Sequence, residues 1–275
     1  MELVFIGIGG GRAVTDTQAF PTGGFRINCA NFRMHCEPGP GALVKSIQYG
    51  QKPSKLDAIF ASHAHLDHAN DLNAMIEAMT FQSKFKEGEE SKKGALYCSK
   101  SITDGAKNIE PALGGFFKKM LKTVKTLKPG EQVKVADGVT LKATKAIHED
   151  PATIGFILDD SETRLGYTGD TQLFPGLFEQ YEELDALIVN VLKPEDQKYP
   201  FHLGIDEAAN VLRSMANKPK QAFINHLGMS YLRTGTNTQA SRFQKISGIK
   251  TTIARESQAF QIGPETKDKA KQTRL

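Results

Sequence analysis

The chain has 275 residues, of which 39% are hydrophobic and 24% are charged, with a formal net charge of +4. This length is sufficient for one large α/β domain with a substantial core, and the charge is too small for a dedicated nucleic-acid-binding face. The mildly basic balance, with a pI near 8.8, is consistent with an anionic substrate. We expect one domain over residues 1–263 and a flexible charged tail over residues 264–275.

The apolar segments and the cysteines indicate the compartment. No apolar run approaches the ~20 residues of a membrane-spanning helix, and the first residues lack the basic segment of a secretory signal. The three cysteines, Cys29, Cys36 and Cys98, are odd in number and form no CxxC pair, which is typical of a reducing environment. We therefore expect a cytoplasmic protein without disulfides and without a membrane contact.

Short apolar runs predict strands and helices that alternate along the chain. In chain order, the predicted strands are residues 3–8, 26–36, 55–61, 95–98, 132–135, 139–147, 153–158, 163–168, 186–191, 222–225 and 250–253. A short helix is predicted over residues 41–49. A second helix is predicted to be capped by Asp71 and to run through Met79.

Two segments outside the predicted strands carry many charges. Residues 84–93 mix acidic and basic side chains and are interpreted as an exposed loop. Residues 116–128 place apolar residues at helical spacing opposite five lysines and are interpreted as a surface helix or an edge element. A lid, a dimer contact or a clamp for an anionic substrate are the alternatives for this second segment.

A glycine-rich loop over residues 7–11 follows the first predicted strand. Such a loop marks a dinucleotide site only when a helix and a later acidic residue accompany it. Residues 13–17 are predicted to form a loop instead. We therefore expect no nucleotide cofactor here, and we interpret the glycines as allowing close backbone packing near the functional site.

Three of the seven histidines lie in one hexapeptide, His63-Ala64-His65-Leu66-Asp67-His68. It follows a predicted buried strand, and loops at strand ends carry chemistry. Residues at i and i+2 of an extended segment point the same way, so His63 and His65 can hold one cation while Asp67 and His68 reach a second. The hexapeptide therefore predicts a metal site. Imidazole and carboxylate ligands without a thiolate suit zinc, manganese or iron.

The hexapeptide resembles the HxHxDH signature of the metallo-β-lactamase superfamily, and three later motifs follow that family's order. They are His148 after an alternating strand, Asp170 after a hydrophobic strand and His226 at the end of another strand. The resemblance implies an α/β fold, the αββα sandwich of two β-sheets flanked by helices, and two divalent metal ions with a hydroxide between them. Its implied ligands are His63, His65 and His148 for one ion and Asp67, His68 and His226 for the other, with Asp170 shared.

Within the superfamily, the chain most resembles the tRNase Z group of tRNA 3′-end processing endonucleases. The first strand with its glycine loop and the complete ligand set are similar, and His202 precedes a helix as a histidine does in that group. The resemblance implies two catalytic residues, Asp67 to hold the hydroxide and His202 to protonate the leaving oxygen or steady the phosphate. A structural, helix-capping histidine is the alternative for His202.

The spacing of two motifs departs from many tRNase Z enzymes. Asp170 follows His148 by only 22 positions, which the two strands predicted there nearly fill. The protruding arm that grips tRNA in many of these enzymes is inserted between the same motifs, so this chain is expected to lack it. A smaller nucleotide, a cyclic nucleotide or an RNA 3′ end is therefore the expected phosphodiester substrate.

Other functions remain open at the level of the sequence. The same ligand set serves a tRNase Z-like endoribonuclease without the usual arm, a thioesterase or lactamase, and a non-catalytic metal-binding scaffold. A diiron redox protein usually has an acidic residue within the first cluster and an associated flavin domain, and neither is present. A homodimer is expected by analogy with relatives, with a contact supplied by residues 116–127 or 71–79.

Two further residues have expected roles near the site. Glu37 lies in a Pro-Gly turn at a position where related sequences usually have Asp, and its carboxylate is expected to accept backbone hydrogen bonds from the loop. His35 is interpreted as a structural histidine.

Overall fold

The computed structural model describes residues 1–83, 86 and 88–263, and these residues form two mixed β-sheets with flanking helices. The expected αββα sandwich is therefore confirmed. The predicted charged tail over residues 264–275 lies outside the described residues, as do Lys84, Phe85 and Glu87 of the mixed-charge segment. The described part of that segment includes a 3-10 turn over Gly88–Ser91.

The first sheet has seven strands among the described residues. In chain order they are β1 (Glu2–Phe5), β2 (Phe25–Asn28), β3 (Arg33–Cys36), β4 (Ala58–Ala61), β5 (Ala95–Cys98), β6 (Thr123–Thr126) and β15 (Ala259–Gln261). Across the sheet the order is β15-β1-β2-β3-β4-β5-β6. Pairing is antiparallel from β15 to β3 and parallel from β3 to β6.

The second sheet repeats this plan. Its strands are β7 (Gln132–Ala136), β8 (Val139–Lys145), β9 (Ile154–Asp159), β10 (Arg164–Tyr167), β11 (Ala186–Lys193), β12 (Leu203–Gly204), β13 (Gln221–Asn225) and β14 (Lys250–Ile253). Their order is β14-β13-β11-β10-β9-β8-β7, with β12 beside the end of β11. Pairing is antiparallel from β7 to β10 and parallel from β10 to β14. The two sheets therefore share one pattern of antiparallel and parallel pairing.

Helices connect the strands of both sheets. They are α1 (Arg12–Thr17), α2 (Ala42–Gln48), α3 (Leu66–Ala69), α4 (Leu72–Thr80), α5 (Lys100–Asp104), α6 (Gly115–Lys118), α7 (Ile205–Ser214), α8 (Tyr231–Thr234) and α9 (Thr236–Ser247). Further 3-10 turns lie at Pro53–Lys55 and Phe178–Tyr181. No helix in the described part of the chain combines the length and apolar character needed to cross a membrane.

Strand β4 is buried on both faces, which explains its continuous apolar sequence. Phe60 packs between the sheets, with its ring centroid 4.7 Å from that of Phe156. The neighbouring Ile59 points to the other face, where it belongs to a second apolar cluster with residues of α2 and α4. Packing on both sides fixes the end of β4, and His63 follows two residues later.

The strand predicted over residues 26–36 is a hairpin of two strands. Strands β2 and β3 pair in antiparallel register up to Asn28 opposite Arg33, and the backbone NH of Cys29 donates to the carbonyl oxygen of Phe32 (2.8 Å) across the turn. Cys29 and Phe32 are both buried. Because apolar residues continue through the turn, the sequence pattern did not reveal the break.

The segment over residues 116–128 is not one long helix. Helix α6 ends at Lys118, and β6 then pairs in parallel with β5 as the edge strand of the first sheet. The edge-element interpretation therefore agrees with the structure, and the surface helix was wrong because backbone pairing with β5 prevails over the helical spacing of the side chains. Phe116 remains 66% exposed, whereas the large apolar side chains of α4 are buried inside the protein. A contact between copies thus stays a prediction that now depends on the Phe116 segment.

Two predictions at helix starts were also wrong. The glycine loop leads into α1, a six-residue helix, where a loop was predicted. Asp71 precedes α4 but makes no capping hydrogen bond to it. Its carboxylate instead accepts a hydrogen bond from the backbone NH of Leu43 (3.3 Å), which links α4 to α2.

Candidate metal centre

Four strand ends bring the implied ligands together. The hexapeptide follows β4, His148 follows β8, Asp170 follows β10 and His226 follows β13. Strands β8, β10 and β13 run in the same direction, so their carboxyl ends lie at one edge of the second sheet. The ligand atoms form two groups, each with its atoms within 4.8 Å of one another: His63, His65 and His148, and Asp67, His68, Asp170 and His226.

The spacing within the first group fits a tetrahedral ion. Nε2 of His148 lies 3.2 Å from Nδ1 of His65, and the ring centroids of His63 and His65 are 4.5 Å apart. Two nitrogens that are both bound to zinc at about 2.0–2.1 Å in tetrahedral geometry lie roughly 3.3–3.4 Å apart. The nitrogens of His148 and His65 therefore have the spacing of two ligands of one zinc ion, and His63 belongs to the same group.

The second group surrounds one carboxylate oxygen. Oδ2 of Asp170 lies 3.0 Å from Nε2 of His226, 3.3 Å from Nε2 of His68 and 3.9 Å from Nε2 of His148. This oxygen therefore faces ligands of both groups, as expected for a shared ligand. Nε2 of His68 is also only 3.2 Å from Nε2 of His226, an approach of two imidazole nitrogens that a cation between them would relieve.

Hydrogen bonds on the far side of three imidazoles select the nitrogen that faces the centre. Nδ1 of His148 donates to the carbonyl oxygen of Phe201 (3.1 Å), Nδ1 of His63 contacts Oγ of Ser62 (2.9 Å), and Nδ1 of His68 contacts the carboxylate of Glu37. Nε2 of each ring is then left for a metal ion. Nε2 of His63 is buried and has no hydrogen-bond partner among the described residues, as expected for a nitrogen that would bind a metal ion.

The charges of the cluster also suit cations. Burial, together with the neighbouring His68 and His148, holds the pKa of His63 well below its usual range, so this ring is neutral. Burial alone would raise the pKa of Asp170, but His226 and His68 hold it well below its usual range. Burial opposes and Asp170 promotes protonation of His226, whose pKa rises to about 9. A metal ion would displace that proton and take its place beside the carboxylates.

The glycine loop packs directly against the centre, as expected. The backbone NH of Gly11 donates to Oδ2 of Asp67 (2.7 Å). A Cβ atom at Gly10 would lie 2.1 Å from Cδ2 of His226, so only glycine leaves room for that ring. His226 itself has a left-handed backbone with φ of 64°, which is uncommon outside glycine and directs its ring toward this loop.

His202 lies at the centre and does not cap a helix. Its Nδ1 is 3.7 Å from Oδ2 of Asp170, and its ring stacks on His226 with centroids 5.3 Å apart. Helix α7 begins after Gly204 and has no side-chain cap, so the helix-capping alternative is wrong. Burial, opposed by Asp170, lowers the pKa of His202 to about 3, so its imidazole is neutral near pH 7.

Aromatic side chains stand beside His202 at the rim of the centre. The Tyr199 ring is 5.9 Å from that of His202 and 51% of the residue is exposed, with Nζ of Lys193 5.0 Å from the ring. Phe201 is 39% exposed, and its ring lies 6.4 Å from that of His148. Its backbone φ of 62° is left-handed, a conformation often found at functional sites.

Several polar partners of the ligands were not predicted from the sequence. Asn190 donates from Nδ2 to Oδ1 of Asp170 (2.7 Å) and to the hydroxyl of Tyr167 (2.9 Å). The one available signal was a polar residue inside the apolar run of β11. Glu37 accepts a backbone hydrogen bond from the NH of Ser62 (2.8 Å), which lies after β4 and outside the turn of Glu37, and it contacts side chains that no sequence pattern indicated.

The interval between His148 and Asp170, which the structure describes in full, contains β9 and β10. These strands pair from Asp159 opposite Arg164, so only a short turn separates them. No arm is inserted there, as the spacing predicted. His35 is fully buried and hydrogen-bonds through Nε2 to the carbonyl oxygen of Gly23 (3.0 Å), in keeping with its structural interpretation.

Two mixed sheets with helices outside them, and a histidine-aspartate cluster at the strand ends, define the metallo-hydrolase class of α/β proteins. Residues 33–227 match the family model described as the beta-lactamase superfamily domain. The chain therefore belongs to the metallo-β-lactamase superfamily, as its motifs indicated. It is 34% identical over 255 residues to the uncharacterized protein MJ1374 of Methanocaldococcus jannaschii, covering 93% of this chain and 92% of that relative.

Solved structures share the fold at low identity. Zn²⁺-bound PqqB from Methylobacterium extorquens is 13% identical with a TM-score of 0.71, covering 95% of this chain and 100% of that one. The short form of human tRNase Z is 15% identical with a TM-score of 0.66, covering 96% of this chain and 100% of that one. At such identities these similarities establish the fold alone.

Proposed function

We propose that this protein is a phosphodiesterase that uses two divalent metal ions to hydrolyse a nucleotide, a cyclic nucleotide or an RNA 3′ end. One observation carries the proposal: His202 stands beside Oδ2 of Asp170, the oxygen that faces both ligand groups. A nitrogen donor in that position suits a phosphate oxygen or a leaving oxygen. The proposed ligands are those that the family motifs implied, namely His63, His65, Asp67, His68, His148, Asp170 and His226.

Zinc is the proposed metal, with manganese or iron as alternatives. The distance between His148 and His65 nitrogens, 3.2 Å, suits the bond lengths of zinc. All seven proposed ligands offer imidazole nitrogen or carboxylate oxygen, which zinc accepts. PqqB, a structural neighbour, binds Zn²⁺.

Each proposed catalytic residue has a defined task. When bound, two divalent ions lower the pKa of water from 15.7 to about 7 and neutralise charge on phosphate oxygens. Asp67 is held by the backbone NH of Gly11 (2.7 Å), so its carboxylate is fixed and can orient the attacking water. His202 donates an N–H hydrogen bond to the phosphate or to the leaving oxygen.

The rim supports a substrate of modest size with a flat group. Tyr199 offers an exposed ring for stacking, and the ammonium of Lys193 beside it attracts an anion. The short connection between β9 and β10 leaves no arm in that interval to grip a folded RNA. Because the structural neighbour from human is a tRNase Z, a tRNase Z-like endoribonuclease with another mode of RNA binding is the second candidate.

The setting proposed for this activity is the cytoplasm. Cys29, Cys36 and Cys98 are all free and buried, and unpaired thiols persist in a reducing environment. We also propose a homodimer in which the exposed Phe116 contributes to the contact between copies.

The test is hydrolysis of bis(p-nitrophenyl) phosphate by protein reconstituted separately with zinc and with manganese. We expect metal-dependent turnover in the wild type and none in His63→Ala, because that change removes a ligand whose Nε2 has no other partner. His35→Gln is a matched control, since it alters a buried histidine outside the proposed ligand set.

The alternatives predict other outcomes of the same assay. Two bound ions with turnover of a thioester or a lactam, and none of the phosphodiester, would replace the proposal by the thioesterase or lactamase alternative. Two bound ions without turnover of any of these substrates would favour the scaffold. If the phosphodiester is hydrolysed, natural phosphodiesters, including cyclic nucleotides and RNA 3′ ends, would be compared as substrates of the wild-type protein.

A further inference from the structure

The carboxylate of Glu37 is buried beside the proposed ligands and is already occupied by hydrogen bonds. Oε1 accepts from the backbone NH of Ser62 (2.8 Å). Oε2 accepts from Oγ of Ser62 (2.6 Å), from the hydroxyl of Tyr167 (3.2 Å) and from Nδ1 of His68. With four donors directed at its two oxygens, Glu37 is placed to orient its neighbours and has little capacity left to bind an ion itself.

The direction of each hydrogen bond follows from the available protons. A carboxylate only accepts, so the single hydroxyl proton of Ser62 points to Glu37. Oγ of Ser62 must then accept from Nδ1 of His63, 2.9 Å away. His63 therefore carries its proton on Nδ1 and exposes a bare Nε2 to the first ligand group.

The same carboxylate acts on the second ligand group without an intermediary. Nδ1 of His68 donates to Oε2 of Glu37, which turns Nε2 of His68 toward His226 and Asp170. Two ligands in two different groups thus depend on one buried side chain. His63 and His68 follow the same strand, which brings both within reach of Glu37.

We infer that Glu37 is a positioning residue shared by the two metal sites, acting on His68 directly and on His63 through Ser62. The inference rests on the ligand set of the proposed function. The effects of Glu37 on His63 and on His68 can be tested separately. Ser62→Ala removes the hydrogen bonds that connect Glu37 to His63 and leaves the contact between Glu37 and His68. Glu37→Gln keeps the shape of the side chain but places an amide donor beside groups that are themselves donors, so it should disturb the orientation of both His63 and His68.

The experiment measures zinc binding. Purified wild type, Ser62→Ala and Glu37→Gln are titrated against a competing chelator, and crystals grown at limiting zinc give the occupancy of each position from anomalous scattering. Partners of metal-bound histidines typically contribute about 10- to 100-fold to affinity. We expect Ser62→Ala to weaken the site of His63 by about 10- to 100-fold and the other site by less than about threefold. Glu37→Gln should weaken both sites by about 10- to 100-fold.

Ser46→Ala is the matched control, since Ser46 is a buried serine whose hydroxyl has no partner among the described residues. It should bind zinc as the wild type does. Equal losses at both sites in Ser62→Ala, or an unchanged site of His68 in Glu37→Gln, would overturn the inference. If Glu37→Gln does not fold, Ser62→Ala alone decides. If the wild type binds two ions but the two variants do not differ in which site they weaken, the inference fails and the proposed function stands. A wild type that takes up no zinc contradicts both the inference and the proposed function.

Discussion

His202 differs from the proposed ligands in how firmly it is held. Its Nδ1 lies 3.7 Å from Oδ2 of Asp170, beyond hydrogen-bond distance, whereas Nδ1 of His148 is fixed by the carbonyl oxygen of Phe201 at 3.1 Å. A ring that is packed beside the centre but not bound to the carboxylate can turn its N–H toward a substrate. This geometry is the one we expect of a residue that acts on the substrate and does not hold metal.

We expect His202→Ala to retain both zinc ions and to lower kcat by about 100-fold or more, because a donor aimed at the reacting group is lost while the ligands remain. Zinc content by elemental analysis and steady-state kinetics with bis(p-nitrophenyl) phosphate measure the two effects. Turnover equal to that of the wild type would remove His202 from the mechanism. Loss of zinc would instead make it a ligand or a support for one.

We expect His35 to make the stability of the protein depend on pH. Burial, followed by the charge of Arg26, lowers the pKa of His35 to about 3. The unfolded chain takes up a proton near pH 6.5 and the folded chain does not, so stability is lost as the pH falls below about 6.5. His35 should contribute about 2 kcal/mol of destabilisation between pH 7.5 and pH 5.

Urea unfolding of metal-free wild type and His35→Gln at the two pH values checks this expectation. The variant should lose about 2 kcal/mol less than the wild type over that interval, because its side chain does not titrate. Equal pH dependence in the two proteins would show that His35 is protonated in the folded state or contributes nothing. Both proteins are measured without metal, so that the titration of the proposed ligands is the same in both and cancels in the comparison.

At the scale of elements, the glycine loop after β1 links the two sheets at the centre. The backbone NH of Leu227 donates to the carbonyl oxygen of Ile8 (2.8 Å), and that of Gly10 donates to Leu227 (3.2 Å). The loop therefore runs alongside the connection that carries His226. Glycine is required at Gly10 by this close approach to the imidazole of His226.

Gly10→Ala should displace His226 and weaken zinc binding at the second ligand group by about 10-fold or more. Gly115→Ala is the control, because a Cβ atom there meets nothing within 4 Å. Gly115 lies in helix α6, so its replacement by Ala should be neutral or slightly stabilising. Chelator titration of both variants provides the comparison, and unaltered zinc affinity in Gly10→Ala would mean that the loop yields instead of His226.

The sequence predicted the secondary-structure elements and the proposed ligands better than the partners of those ligands. The order of motifs indicated the seven proposed ligands and His202, and the structure brings these side chains together, because each motif is a local feature at the end of a strand. The partners of the ligands depend on contacts between distant residues, such as Glu37 with His68, which only the assembled fold creates. Pairing with β5 likewise determined the strand β6, where side-chain periodicity indicated a helix.

At the scale of the whole molecule, the proposed ligands come from both sheets. His63 and His68 belong to the connection after β4 in the first sheet, while His148, Asp170 and His226 follow strands of the second. Ions bound at this centre would therefore join two layers that are otherwise held by apolar packing and loop contacts. Binding to the folded state alone stabilises it by mass action.

Removal of the ions by a chelator should lower the melting temperature by roughly 5–10 °C, which corresponds to about 2.7 kcal/mol at a free metal concentration 100 times the dissociation constant. Differential scanning calorimetry with and without added zinc measures the shift. His63→Ala should show a smaller shift, and Ser46→Ala the full one. A melting temperature that is the same with and without zinc would indicate that the ions do not contribute to joining the sheets.

Strand β15, from the last part of the described chain, completes the first sheet, so the first sheet is completed after the second. It follows all strands of the second sheet in the sequence and pairs with β1. The backbone NH of Ile262 donates to the carbonyl oxygen of Met1 (2.8 Å). During synthesis on a ribosome, β1 must wait with an open edge until residues 259–261 emerge. The first half therefore cannot mature as an independent unit, and a nascent chain halted before β15 would expose the edge that the finished protein covers.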